Sequence, residues 1–181
     1  NFGTATNSNN TAVGYDAGFA VTTAVNNTII GALAGDALTT GNENVAVGFE
    51  ALSTEDASGG NTAVGSAALK AQDTGVSAAF NTAVGHNAGL AVTTGVQNTL
   101  IGGAAGDALT DADFNVAIGT DALASDTLGS RSIAIGRRAL LTQNFTTATD
   151  TYNVAVGFEA GHNITTGKRN TLIGGLAGDS I

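Results

Sequence analysis

The chain has 181 residues, 26 of them Gly, and contains no Pro, Cys, Met or Trp. Without cysteine it has no disulfide framework, thiolate metal site or thiol nucleophile. Its net charge of −9 makes nucleic-acid phosphate and anionic membranes poor partners. Apolar runs are far shorter than the roughly 20 residues that a transmembrane helix needs.

A five-residue motif, Asn–(β-branched)–(small or apolar)–(Val or Ile)–Gly, recurs ten times along the chain. Its copies start at Asn10, Asn27, Asn44, Asn61, Asn81, Asn98, Asn115, Ser132, Asn153 and Asn170. Most steps are 17 residues long, with one of 20 after Asn61 and one of 21 after Ser132. We number each unit from its Asn as position 1, and the two longer steps predict loop insertions.

Small residues are fixed within the unit, since position 5 is always Gly and position 8 always Ala. Position 9 is Gly in two units and Leu in the next two, so the full module is four units long. Position 12 compensates: it is apolar where position 9 is Gly, and it carries Glu55, Gln72, Asp126 and Gln143 where position 9 is Leu. This pattern predicts one interior slot that a large apolar side chain fills once per unit. We place Glu55 and Asp56 in turns. Asp36, Asp107 and Asp179, which follow a Gly at position 10, look like solvated turn residues.

A 17-residue period with Val, Ile and Thr segments and glycine turns predicts an all-β parallel β-solenoid of ten coils. Helical repeats need about twice that length. Residues 1–181 form one repetitive segment, with strands at positions 2 to 4. Because the chain lacks Met, and Asn1 and Ile181 both interrupt a unit, we expect a fragment of a longer repeat protein, or copies stacked into a filament.

Position 3 carries only Ala, Ile or Leu. Successive strand residues point to opposite faces, and continuous apolar strands are typical of sheets buried on both sides. We therefore predict that this column faces its own copies across a trimer axis. The predicted interface is Ala12, Ile29, Ala46, Ala63, Ala83, Leu100, Ala117, Ala134, Ala155 and Leu172.

The Asn at position 1 is predicted to stack along the solenoid, with its amide hydrogen-bonded to neighbouring coils and turns. Residues able to carry catalysis do not come together: His86 and His162 lie four coils apart, roughly 19 Å, and no carboxylate pair recurs. We expect no enzyme activity, no cofactor and no metal.

The strings Asn44-Val45-Ala46-Val47-Gly48 and Asn115-Val116-Ala117-Ile118-Gly119 resemble the head repeats of YadA-type trimeric autotransporter adhesins. The 17-residue unit also looks like repeats of phage tail fibres. The resemblance implies a left-handed β-roll, a homotrimer, and a place outside the cell, on a cell surface or a virion fibre. It also implies adhesion to host cells, matrix or glycans.

Function then depends on what varies from unit to unit. We expect a structural and adhesive fibre segment that displays ligand-contacting side chains at Tyr15, Phe49, His86, Phe158, Phe80 and Tyr152, although the aromatic ones could equally pack in an interface. A phage tail-fibre shaft or receptor-binding segment is the first alternative. The second is an ice-binding solenoid, which Thr columns at positions 13 and 14 would favour but which interruptions such as Asp56, Asp73 and Leu128 oppose.

Overall fold

A computed structural model describes residues 7–179 as one continuous stack of parallel coils. Ten three-residue strands form a single parallel sheet in chain order, and a short two-stranded sheet stands beside it. The predicted all-β parallel β-solenoid with coils of about 17 residues is confirmed. The described residues contain no helix, and therefore none that could cross a membrane. The chain ends, where we expect the polypeptide to continue, lie outside the described residues.

The strands occupy positions 2 to 4 of each coil, as predicted. They are β1 Thr11–Val13, β2 Thr28–Ile30, β3 Val45–Val47, β4 Thr62–Val64, β5 Thr82–Val84, β6 Thr99–Ile101, β7 Val116–Ile118, β9 Ile133–Ile135, β11 Val154–Val156 and β12 Thr171–Ile173. The second sheet pairs β8 Gly129–Ser130 with β10 Thr149–Asp150. Every strand of the large sheet pairs in register, so equal positions stack directly on one another.

The side chains at position 3 point into the interior of the coil. The prediction that they face other copies across a trimer axis is therefore wrong. The side chains of Ile29, Ala46, Ala63, Ala83, Leu100, Ala117, Ala134 and Ala155 are buried within a single chain and belong to its hydrophobic core. In the end coils, Ala12 is exposed and Leu172 packs partly buried against the core. Because one chain already covers this column, it offers no surface to a partner, and positions 2 and 4 form the outer face instead.

Large side chains at position 3 fill the space that Gly leaves at position 9. A Cβ atom on Gly18 would lie 3.0 Å from Cδ1 of Ile29, and one on Gly106 would lie 2.8 Å from Cδ2 of Leu100. In coils with Leu at position 9, position 3 is Ala, and both are buried. The predicted interior slot is therefore present in the structure. Position 3 helps to fill it, together with positions 9 and 12.

The Asn ladder is confirmed as a structural device. The backbone N–H of Asn115 donates to Oδ1 of Asn98 at 3.0 Å, and Nδ2 of Asn98 donates to the carbonyl of Ala112 at 2.7 Å. Equivalent bonds link most neighbouring coils. Because both the carbonyl oxygen and the NH₂ group of the Asn side chain form hydrogen bonds, the ladder fixes the register without leaving these buried polar groups unpaired.

Candidate functional site

The outer face of the large sheet is an uncharged strip that runs the whole length of the solenoid. Positions 2 and 4 carry only Thr, Val and Ile in all ten coils. Their side chains are half-buried or exposed in the single chain, whereas those at position 3 are buried in the eight coils between the two end coils. We call positions 2 and 4 of the ten strands the outer strip. None of the 15 acidic residues of the chain lies on this strip.

The six predicted display residues are all exposed, in two columns. Tyr15, Phe49, His86 and Phe158 occupy position 6, directly after the strand and its glycine. Phe80 and Tyr152 occupy the column of residues that immediately precede position 1, which we call the pre-Asn column. The structure does not gather the six into one site.

The pre-Asn column contains a cluster that sequence reasoning missed. The guanidinium carbon of Arg131 lies 4.6 Å from the ring centroid of Phe114, one coil away. Its Nε is 3.0 Å from Oδ1 of Asp150, and the hydroxyl of Tyr152 donates to Oδ2 of the same carboxylate at 3.3 Å. Hydrogen bonding to Asp150 raises the pKa of Arg131. The cluster joins an aromatic face, a cation and a carboxylate on the exposed surface.

A buried polar network occupies the interior of the third and fourth coils. Glu55 is fully buried, and its Oε1 accepts hydrogen bonds from the backbone N–H groups of Ala57 and Ser58 at 3.1 and 2.7 Å. Its Oε2 accepts from Nε2 of Gln72 at 3.1 Å, and Oε1 of Gln72 accepts from Nδ2 of Asn81 at 2.9 Å. All these neighbours of Glu55 are hydrogen-bond donors, so both carboxylate oxygens act as acceptors.

The next module repeats this arrangement. The buried Asp126 accepts from the backbone N–H of Phe145 at 2.9 Å and from Nε2 of Gln143 at 2.6 Å. Gln143 also donates to Oγ of Ser132 at 2.9 Å and accepts from Nδ2 of Asn153 at 2.7 Å. Sequence reasoning placed Glu55 in a turn and did not foresee that position 12 is buried in these four coils. The signal was present, since the acid and the Gln each recur after 71 residues.

Asp36 and Asp107, at position 10 of equivalent coils, are half-buried and were expected to be solvated turn residues. Burial raises the pKa of both carboxyl groups, and repulsion from Glu50 and Asp16 adds to the rise at Asp36. A carboxyl whose pKa is raised in the folded chain binds its proton more tightly there than in the unfolded chain. It therefore opposes folding at neutral pH, and this loss is relieved as the pH falls through the raised pKa.

Replacing Asp36 with Asn should give a small rise in the midpoint of thermal unfolding at pH 7, because the neutral amide removes a half-buried negative charge. The gain should shrink as the pH falls toward about 4, where the unfolded carboxyl also becomes protonated. Thermal melts between pH 4 and 8 measure this, and Asp107→Asn should behave in the same way. A lower midpoint for both variants at pH 7 would contradict the prediction.

Acidic residues and cavities offer no built chemical site in the described part of the chain. The carboxylates of Glu55, Asp56 and Asp73 lie within 4.8 Å of one another, but both oxygens of Glu55 already accept hydrogen bonds. A cavity of about 320 Å³ near the C-terminal end is lined by Asn163, Ile164, Thr165, Gly167 and Asn170. None of these side chains can act as an acid or base near neutral pH.

Several Thr residues of the columns considered for ice binding use their hydroxyl groups within the protein. The Oγ1 atoms of Thr22, Thr39 and Thr110, at position 13, each donate to a backbone carbonyl of the next coil at 3.0 to 3.1 Å. Those donors are therefore committed to holding the coils together rather than presented to water.

The comparisons with known proteins yield no relative. No family model matches the chain, and neither a curated protein nor a solved structure is similar enough to count as a match. The fold and its surfaces therefore have to support any functional conclusion by themselves. A β-solenoid of stacked, in-register coils is consistent with a structural, fibre-like protein.

Proposed function

We propose that the chain is a non-enzymatic segment of an extracellular adhesive fibre, in which the solenoid supplies length and rigidity and the variable positions contact other surfaces. One observation carries this proposal: ten coils keep the same register and the same Gly and Ala framework, while position 6 and the pre-Asn column vary from coil to coil. Repetition of that kind builds an elongated body whose dimensions depend only on the number of coils. A trimeric adhesin and a phage tail fibre both use such a body outside the cell, and a cell-surface or virion location follows from either.

The fibre is proposed to be a homotrimer whose chains meet through the outer strip. At about 4.8 Å per coil and roughly 3.3 Å per strand residue, the strip is about 48 Å long and 10 Å wide. The strip is uncharged throughout and apolar at position 4, where every coil has Val or Ile, and exposed apolar surface marks an interaction site. A second copy of the chain fits this strip when the two chains run in parallel, because each of the ten coils then meets the same coil of the other chain. Three copies, rather than two, are taken from the resemblance to adhesin heads.

Substitution of the outer strip tests this assembly. Val47 and Val84 are half-buried at position 4, so Val47→Glu with Val84→Glu should leave the single chain folded. In a trimer the pair would place six carboxylates in a dry interface, where each unpaired charge costs several kcal/mol. Light scattering after size exclusion should give three chain masses for the natural sequence and one for the variant.

Val76 provides the matched control, because it is an exposed Val in the loop that follows the fourth coil, away from the sheet. Val76→Glu should keep the trimeric mass. A monomeric mass for the natural sequence would overturn the homotrimer.

A further inference from the structure

Positive charge is concentrated near one end of the solenoid. Five of the six basic residues, Arg131, Arg137, Arg138, Lys168 and Arg169, lie in the last 51 residues, which contain only three acidic residues. The first 130 residues contain one Lys and 12 acidic residues, so the two parts carry +2 and −11, which together give the net charge of −9. Because chain position maps onto the solenoid axis, this asymmetry is also an asymmetry in space.

Among the described residues, three of these basic residues have carboxylate partners and two have none. Arg131, Arg137 and Arg138 form ion pairs with acidic side chains. Lys168 and Arg169 form no ion pair with any residue between 7 and 179, and both are exposed. Their charges are available to an anion from solution.

Arg169 belongs to the pre-Asn column, which alternates aromatic and cationic side chains over four successive coils. The column runs Phe114, Arg131, Tyr152, Arg169, with one coil, about 4.8 Å, between neighbours. Phe114 and Tyr152 are 40% and 49% exposed, and the Arg131 guanidinium covers one face of the Phe114 ring. We call these four residues the aromatic–arginine ladder.

The solenoid itself does not require this ladder. The equivalent residues of the preceding module are Glu43, Gly60, Phe80 and Gln97, and they occupy the same backbone conformation. All four members of the ladder have φ between 53° and 63°, a left-handed region that bulky side chains rarely adopt. Glu43, Phe80 and Gln97 share this conformation, so it belongs to the column as a whole and only the side chains set the ladder apart.

We propose that the aromatic–arginine ladder binds an acidic saccharide chain. Sugar rings stack their C–H faces on exposed aromatic rings such as Phe114 and Tyr152, which combine a large apolar face with a polar tip. Guanidinium groups bind carboxylate or sulfate through paired N–H donors. Arg131 engages Asp150 through Nε, and Asp150 can also accept from sugar hydroxyls.

The size of the ladder suits a chain ligand rather than a single sugar. Four coils span about 14 Å from the first residue to the last, a length that covers several linked rings. The proposal deepens the adhesive function above by naming a ligand class, and it rests on that function only for its biological setting.

Binding of saccharides to the full chain tests the proposal. Isothermal titration with oligogalacturonate and with a heparin oligosaccharide should show binding that weakens as salt rises from 50 to 300 mM, because ionic contacts are screened. A neutral maltooligosaccharide should bind at least tenfold more weakly. Binding of either acidic probe supports the ladder and identifies the anionic group. Failure of both probes, or equal affinity for the neutral one, would overturn it.

Variants separate the ladder from other surfaces. Tyr152→Ala and Arg131→Gln should each weaken binding at least tenfold, whereas Tyr152→Phe, which keeps the ring, should retain most of it. Phe80→Ala is the matched control, because Phe80 is the exposed aromatic residue of the equivalent coil without an arginine neighbour. An equal loss with Phe80→Ala would overturn the proposal.

Light scattering on the same variants distinguishes ligand binding from assembly. The Tyr152→Ala chain should keep the mass of the natural chain, and circular dichroism should show it folded. A lower mass would assign the ladder to the contact between copies and overturn its role in saccharide binding. A trimer that binds no acidic saccharide would leave the fibre proposal intact and remove only the ligand.

Discussion

Replacing Gly102 with Ala is expected to lower the free energy of unfolding by more than about 4 kcal/mol. Gly102 has a φ of 135°, and a Cβ atom there would lie 2.6 Å from the carbonyl carbon and oxygen of Gly119 in the next coil. No side-chain carbon approaches a backbone so closely, so the two coils must separate and lose the hydrogen bonds between them. Chemical denaturation followed by far-ultraviolet circular dichroism measures the loss.

The adjacent residue, Gly103, provides the control for this change. A Cβ atom on Gly103 would meet no heavy atom within 4 Å, and its φ lies outside the left-handed region. Gly103→Ala should therefore change the free energy of unfolding by no more than about 0.5 kcal/mol. Equal effects of the two substitutions would show that the glycine column is not held by contact between coils.

The architecture could be predicted because the repeat constrains it at every coil. Invariant Gly at position 5 and Ala at position 8 leave room only for backbones that approach closely. The 17-residue step with a three-residue β-branched segment excludes helical repeats. The amide of Asn98, which bonds to the coils on both sides of it, was likewise foreseeable from its recurrence.

The sequence did not show in the same way which face of each strand points into the core. In Val45-Ala46-Val47 both faces are apolar, so alternation alone does not say which face is inside. In the structure the face of position 3 is inside, with Ala46 beside Leu52 in one coil and the larger Ile29 and Leu100 in coils with Gly at position 9. When neither face of a strand is polar, the alternation of polar and apolar residues that normally identifies the inner face is missing.

For the candidate sites, the sequence predicted which side chains are exposed but not which of them are in contact. Tyr152 is exposed as expected, but its relation to Arg131 and Asp150 depends on which side chains the coils bring together. The insertion after Gln143 places Asp150 beside Arg131, and neither the length of this loop nor its path follows from the repeat. Contacts between an insertion and a coil therefore had to come from the structure.

The buried carboxylates were missed because an acidic residue next to a turn ordinarily lies in solvent. Glu55 differs because Leu52, at position 9, already fills the apolar slot and leaves position 12 with a polar space. The backbone N–H groups of Ala57 and Ser58 point into that space, and an acceptor has to satisfy them. The compensation between positions 9 and 12 thus replaces an apolar contact in two coils with a hydrogen-bonded network in the next two.

Replacing Glu55 with Gln is expected to lower the free energy of unfolding by about 2–3 kcal/mol, although it changes a single heavy atom. Whichever way the new amide is turned, its NH₂ group faces either the N–H groups of Ala57 and Ser58 or Nε2 of Gln72. Turning the Gln72 amide would only move the conflict to Nδ2 of Asn81, which is also a donor. Glu43→Gln makes the same change at an exposed residue and should leave stability within about 0.5 kcal/mol. Urea denaturation of the two variants at pH 7 compares them, and equal stability would mean that the carboxylate at Glu55 is not needed to satisfy the donors around it.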